Sequence, residues 1–83
     1  MAERVDLGRF MYAEEDGGIW TIYGKRDKSE LGHIEWYASW RQHVFTGYSL
    51  CVFSADCLAE ITAFLGRLNK ERMTEWRDAA PHG

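Results

Sequence analysis

The apolar residues of this chain change period once, at Ser54, from strand-like alternation to the three-to-four spacing of a helix. Downstream of that point Leu58, Ile61, Leu65 and Leu68 form a single apolar stripe, flanked by Phe64. Ser54 carries a hydroxyl suited to an N-cap, and Asp56 falls in the first turn, where the helix dipole favours an acid. A helix over 54–77 is expected. Its stripe breaks at Arg72, which stands on the line that Leu68 should extend. Either the helix bends near Asn69, or its last turns leave the core and Arg72, Met73 and Trp76 face something else. Pro81 and the final glycine imply a frayed tail over 78–83.

Upstream, residues 19–53 read as antiparallel strands. Ile19–Tyr23 is dense in β-branched and aromatic residues and ends in Gly24 and a charged turn. Leu31–Tyr37 alternates Ile34 and Trp36 against His33, Glu35 and Tyr37. Arg41–Thr46 and Tyr48–Phe53 read as two more strands with Gly47 turning between them, and connections this short imply antiparallel neighbours. Residues 1–18 form an acidic N-terminal segment with weaker signals, closed by a Gly17-Gly18 turn. Leu7, Phe10 and Met11 have the spacing of a short amphipathic turn, while Phe10–Ala13 reads equally as an edge strand. The expected fold is α+β: one domain over 1–83, a small antiparallel sheet of three to four strands, and one C-terminal helix packed on one face.

Size and charge exclude several classes. A folded chain of 9.6 kDa buries roughly 63% of its unfolded surface, enough for one modest core. No run approaches 18 consecutive apolar residues, so no segment is expected to span a membrane. No basic stretch leads into an apolar one, so no secretory signal is read; the expected location is cytoplasmic and the expected state of Cys51 and Cys57 is reduced. Residues 1–16 hold five acids and two bases, whereas 17–83 are balanced, so the net charge of -3 lies entirely at the N-terminus. Such a chain has little basic surplus for phosphates, and double-stranded nucleic acid is disfavoured. An acidic segment instead suits a basic partner surface, or simply solvent. No Gly-Lys-Ser/Thr signature supports a nucleotide loop. His33 and His43 with the two cysteines could make up four zinc ligands, but the spacing lacks the close pairs that zinc sites use, and no metal or other cofactor is expected.

Catalysis is likewise not expected. By parity His33, Glu35, Arg41 and His43 share one sheet face, and a His–Glu pair suffices for general acid–base work. The same four residues also describe an ordinary exposed sheet surface, and a sheet-plus-helix this small scarcely encloses a catalytic pocket. The aromatic residues are more informative. Trp20 and Trp36 are expected in the core, and Trp40 suits core or surface alike. Tyr37, with His33, Arg41 and His43 on the outer face, has the composition of a binding surface, since Tyr, Trp and Arg combine large area with a polar handle. Trp76 lies among charged residues and either folds back on the sheet or docks on a partner.

The block from Leu31 to Phe45 contains Leu-Gly-His-Ile-Glu-Trp-Tyr-Ala-Ser-Trp-Arg-Gln, and residues 57–65 read Cys-Leu-Ala-Glu-Ile-Thr-Ala-Phe-Leu. Over roughly residues 19–69 the chain resembles short bacteriophage- and prophage-encoded proteins with a Leu-Gly-x-Ile-x-Trp-Tyr-x-x-Trp-Arg-Gln strand pair and a Cys-Leu-x-x-Ile-x-x-Phe-Leu helix. No chemistry is assigned to those proteins, so the resemblance implies a setting inside a host cell rather than a mechanism. By analogy, the expectation is a small accessory protein that binds a host protein or complex, as anti-CRISPR inhibitors of host defence do. Glu14, Glu15, Tyr37, Arg41, His43 and Trp76 are the expected partner-binding residues. The alternative is a small single-stranded nucleic-acid-binding or regulatory protein that stacks bases on the aromatic-plus-Arg face. A homodimer is compatible with either.

Overall fold

The computed structural model describes residues 3–79, with side-chain detail for residues 3–72. Five strands, β1 (Arg4–Leu7), β2 (Met11–Asp16), β3 (Ile19–Gly24), β4 (Glu30–Tyr37) and β5 (Gln42–Gly47), precede one helix, α1 (Ala55–Ala79). Each strand pairs antiparallel with its neighbour in sequence, giving the order β1-β2-β3-β4-β5. The fold is α+β, as expected, but with five strands rather than three to four.

Two further strands are at the N-terminus, where the edge-strand reading of Phe10–Ala13 falls at the start of β2 and β1 was not expected. The segment expected as an acidic arm is a hairpin, in which Arg4 pairs with Glu14 and Leu7 with Met11. Met11 and Ala13 point into the core, while Glu14 and Asp16 point away from it. The acids belong to a strand whose outer face is not covered. Gly17 and Gly18, with φ of 63° and 89°, form the tight turn to β3 that the sequence predicts.

The expected strand Tyr48–Phe53 does not form. Tyr48 still donates its N–H to the Leu31 carbonyl, but Leu50 then adopts φ 68° and the chain turns off the sheet toward the helix. Within this stretch the Tyr48 ring packs on His33 at 5.6 Å and Phe53 meets Phe45 edge-on at 5.4 Å.

Alternation places Val5, Ala13, Ile22, Gly32 and Gly47 in one row across the helix-facing side, and Glu15, Trp20, Ile34 and Phe45 in the next. Small residues in the first row leave room for rings from the second row and the helix. At Gly32 the fit is closest, because a Cβ there would run into the Thr46 carbonyl oxygen and lie 2.7 Å from the Phe45 ring. Trp20 supplies the centre of the core and meets Phe64 of α1 edge-on at 5.0 Å.

Ser54 caps α1 as expected, its hydroxyl accepting the Cys57 N–H at 3.2 Å. The buried seam is Ile61, Phe64 and Leu68, with Cys57 and Leu65 partly buried beside it. Phe64 is thus central rather than flanking, and Leu58, expected in the stripe, is 46% exposed. The first turns of α1 lie over the β1–β2 turn, where Cys57 and Glu60 face Gly8, so Leu58 points past the sheet. The break at Arg72 has a direct cause: its guanidinium lies 3.9 Å from the centre of the Trp36 ring. The helix continues over the sheet's rim, and a cation takes the apolar residue's place because an indole face receives it. Asp78 and Ala79 belong to the helix, and the rest of the expected tail lies outside the described residues.

Two glycine substitutions test this packing. Gly32→Ala is expected to destabilise by about 1–3 kcal/mol through overpacking. Gly66→Ala, on an open helix surface with nothing within 4 Å, is expected to stabilise by roughly 0.5–1 kcal/mol. Urea unfolding followed by circular dichroism reads both, and equal effects would contradict the close fit at Gly32.

Candidate functional site

The one helix lies on one side of the sheet, so among the described residues no element covers the face away from α1. Its residues form cross-strand rows. Asp6, Tyr12, Tyr23 and Glu30 make one, and Arg4, Glu14, Thr21, His33 and Thr46 make another. Tyr12 stacks on Tyr23 at 5.1 Å, and Arg4 covers the other side of the Tyr12 ring at 3.9 Å. Tyr12 is consequently buried although no element lies over it. His33 Nδ1 lies 3.1 Å from the Tyr48 hydroxyl, and its Nε2 lies 3.5 Å from Glu35. The surface is pre-ordered by its own contacts.

Burial raises the Tyr23 phenol above its ordinary value of 10.0, and the nearby carboxylates of Glu30 and Glu14 raise it further. Around Tyr23 the face carries the carboxylates of Glu14 and Glu30, while Asp6 in the same row is paired with Arg4 and Lys25.

At the end of β4 the aromatic residues reach solvent. The loop from Ala38 to Arg41 joins Tyr37 to its cross-strand partner Gln42. Tyr37 and Trp40 meet edge-on at 4.9 Å and are 42% and 66% exposed. Trp40 is therefore a surface residue. Arg41 adopts φ 52°, a left-handed conformation that glycine or asparagine would hold with less strain.

The structure separates the residues expected to share a face. The four-residue loop makes each β4–β5 pair join an odd position to an even one, as in His33 with Thr46 and Trp36 with His43. His43 therefore lies on the helix side, opposite His33 and Glu35. There Asn69 Oδ1 accepts the His43 backbone N–H at 2.6 Å and faces its Nδ1 at 3.0 Å, which makes Nδ1 the protonated nitrogen. The ring also meets Trp36 edge-on at 5.4 Å. His43 ties the helix to β5. Arg41 sits in the loop and not on the strand.

Glu14 lies on the open face, and Glu15 on the other, lining a shallow concavity of about 500 Å³ with Trp36, His43, Glu71 and Arg72. Tyr37 and Arg41 come together at the β4–β5 loop, and Trp40 joins them, a residue that the sequence left undecided. The Trp76 side chain lies outside the described residues. The zinc candidates do not converge, because His33 and His43 are on opposite faces; among the described residues no three His, Cys, Asp or Glu side chains gather where a metal ion would fit. No helix among the described residues is long and apolar enough to cross a membrane.

Two measurements follow from this geometry. A phenol value raised on folding means that the associated stability is complete below pH 10.0 and is lost as the pH climbs through the folded-state value. Phenolate absorbance should show a late phase from Tyr23, which Tyr23→Phe should remove and Glu14→Gln should bring earlier. Asn69→Ala should cost about 1–2 kcal/mol by leaving the His43 N–H without its acceptor, and an unchanged urea midpoint would place the helix–β5 tie elsewhere. No protein family, curated protein or solved structure matches this chain.

Proposed function

We propose that the chain is a non-catalytic binding module, a small phage-type accessory protein that engages a host protein through the open sheet face and the Tyr37–Trp40–Arg41 loop. The observation that carries this reading is the loop itself. Two large rings, Tyr37 and Trp40, stand in solvent beside Arg41, whose left-handed backbone closes the β4–β5 turn as the same conformation serves Lys28 and Leu50 in two other turns. Tyr, Trp and Arg are also the side chains that contribute most when buried at an interface.

Electrostatics favours a basic protein surface over nucleic acid as the partner. Glu14, Glu30 and Glu35 lie on the open face, Glu35 nearest the loop, where a phosphate backbone would meet repulsion. The same face offers a partner's Lys and Arg side chains a set of carboxylates arranged around stacked tyrosines. His33 and Glu35 lie side by side on the open face, and Glu35 also borders the shallow concavity of about 500 Å³. By analogy with phage inhibitors of host defence, CRISPR–Cas effectors are the first host complexes to test.

The deciding experiment is capture of partners from a bacterial lysate by the tagged chain, with and without nuclease, for the wild type and for Tyr37→Ala and Arg41→Gly. One host protein complex retained through nuclease treatment, and lost in both variants, is the expected result. Arg41→Gly should keep or raise the melting temperature, since it relieves the backbone, so its loss of binding would not be a loss of fold. Capture that disappears with nuclease would replace this reading with single-stranded nucleic-acid binding.

A further inference from the structure

The two edges of the sheet differ. The β1 edge carries Glu3, Arg4, Asp6 and Arg9, and ion pairs join Asp6 to Arg4 at 3.8 Å and to Lys25 at 3.7 Å. Charges of this kind keep a strand edge from pairing with another chain. The β5 edge has none. From Gln42 to Ala55 the chain runs through fourteen consecutive residues without an Asp, Glu, Lys or Arg, although charged residues make up 28% of the whole.

The hydrogen-bond pattern shows which groups on that edge are open. In an antiparallel ladder, bonded and non-bonded pairs alternate. Tyr48 bonds to Leu31, so Gly47, Phe45 and His43 fall at the non-bonded positions, and their N–H and C=O groups point outward. Asn69 takes the outward N–H of His43. Those of Phe45 and Gly47 have no partner among the described residues. The chain does not fold back over them, because at 48–51 it turns away: Cys51 donates to the Tyr48 carbonyl, and its Sγ lies 3.8 Å from the Glu30 carbonyl oxygen, back on β4.

We propose that β5 pairs antiparallel with β5 of a second copy of this chain, with the two-fold axis at Thr46. In that register Phe45 of each copy faces Gly47 of the other, and each such pair exchanges two backbone hydrogen bonds. All of the open groups of Phe45 and Gly47 are then used, and the Asn69 bond to His43 is left in place. An uncharged strand is complementary to its own antiparallel copy, since no like charges are brought together. The axis stands perpendicular to the sheet, so the two open faces join into one surface of ten strands with both helices behind it. Thr46, exposed on the open face, meets its own counterpart in a non-bonded pair, where Cα atoms come within about 4.5 Å. This assembly is independent of which partner the open face takes.

Sedimentation velocity across a concentration series tests it. The wild type is expected at twice the 9.6 kDa of one chain. Thr46→Lys and Thr46→Glu alone should each sediment as folded monomers, through like charges set face to face, and an equimolar mixture of the two should restore the dimer. Independently, Thr46→Cys should form a disulfide between the two introduced thiols on mild oxidation, identified by peptide mass spectrometry. A wild type that stays monomeric at every concentration overturns the proposal. So does a dimer that Thr46→Lys leaves intact, or oxidation that never joins position 46 to itself.

Discussion

One helix has to cover five strands, and most of the structure follows from that mismatch in width. Five strands at their usual spacing extend about 19 Å, while a helix with its side chains is roughly 10–12 Å across. α1 therefore crosses the sheet obliquely, from the β1–β2 turn near Gly8 to β5 near His43. Contact with Trp20 through Phe64 sets the middle of that path. Where the helix cannot reach, other groups cover the sheet: Phe45 and Phe53 over the Gly32–Gly47 pair, and the Arg72 guanidinium over Trp36. The opposite face has no second layer and is held by its own stacked tyrosines.

The same mismatch explains what could be read from the sequence. β3 and β4 lie beneath the helix and read clearly, β3 from its density of β-branched and aromatic residues and β4 because Ile34 and Trp36 alternate with His33 and Glu35. The change of period at Ser54 was legible because a cap and an apolar seam coincide there. β1 was obscured and β2 only partly legible because few of their helix-side residues, Leu7, Met11 and Ala13, are fully buried, and the outer positions carry acids that resemble a solvated tail. Tyr48–Phe53 misled in the opposite sense: its aromatic and β-branched residues look like a strand, although Leu50 and Val52 are almost fully exposed.

At the candidate site, Tyr37 and Arg41 could be named from residue type, but the face that each residue occupies could not. Loop length between β4 and β5 decides that parity, and a four-residue loop sends His43 to the helix side while His33 stays outside. No local pattern carries this information. Asn69 gave no signal of its own, since its role comes only from the point where α1 crosses the β5 edge. Trp40 was ambiguous for a related reason. A loop tryptophan has no alternation to be read against.

The strand order has a consequence for how the chain acquires its shape. Every strand pairs with the one before it, so the sheet assembles from successive short loops, and only helix docking joins distant parts of the sequence. Local connectivity of this kind favours rapid folding. On a ribosome, however, all five strands emerge before Phe64 and Leu68 do. For that interval the nascent chain exposes Trp20, Ile22 and Ile34 on a sheet without its cover, beside an uncharged β5 edge. Any factor that shelters nascent chains would meet this protein at that stage, and a product truncated before Ser54 would keep the sticky intermediate and lose the helix that masks it.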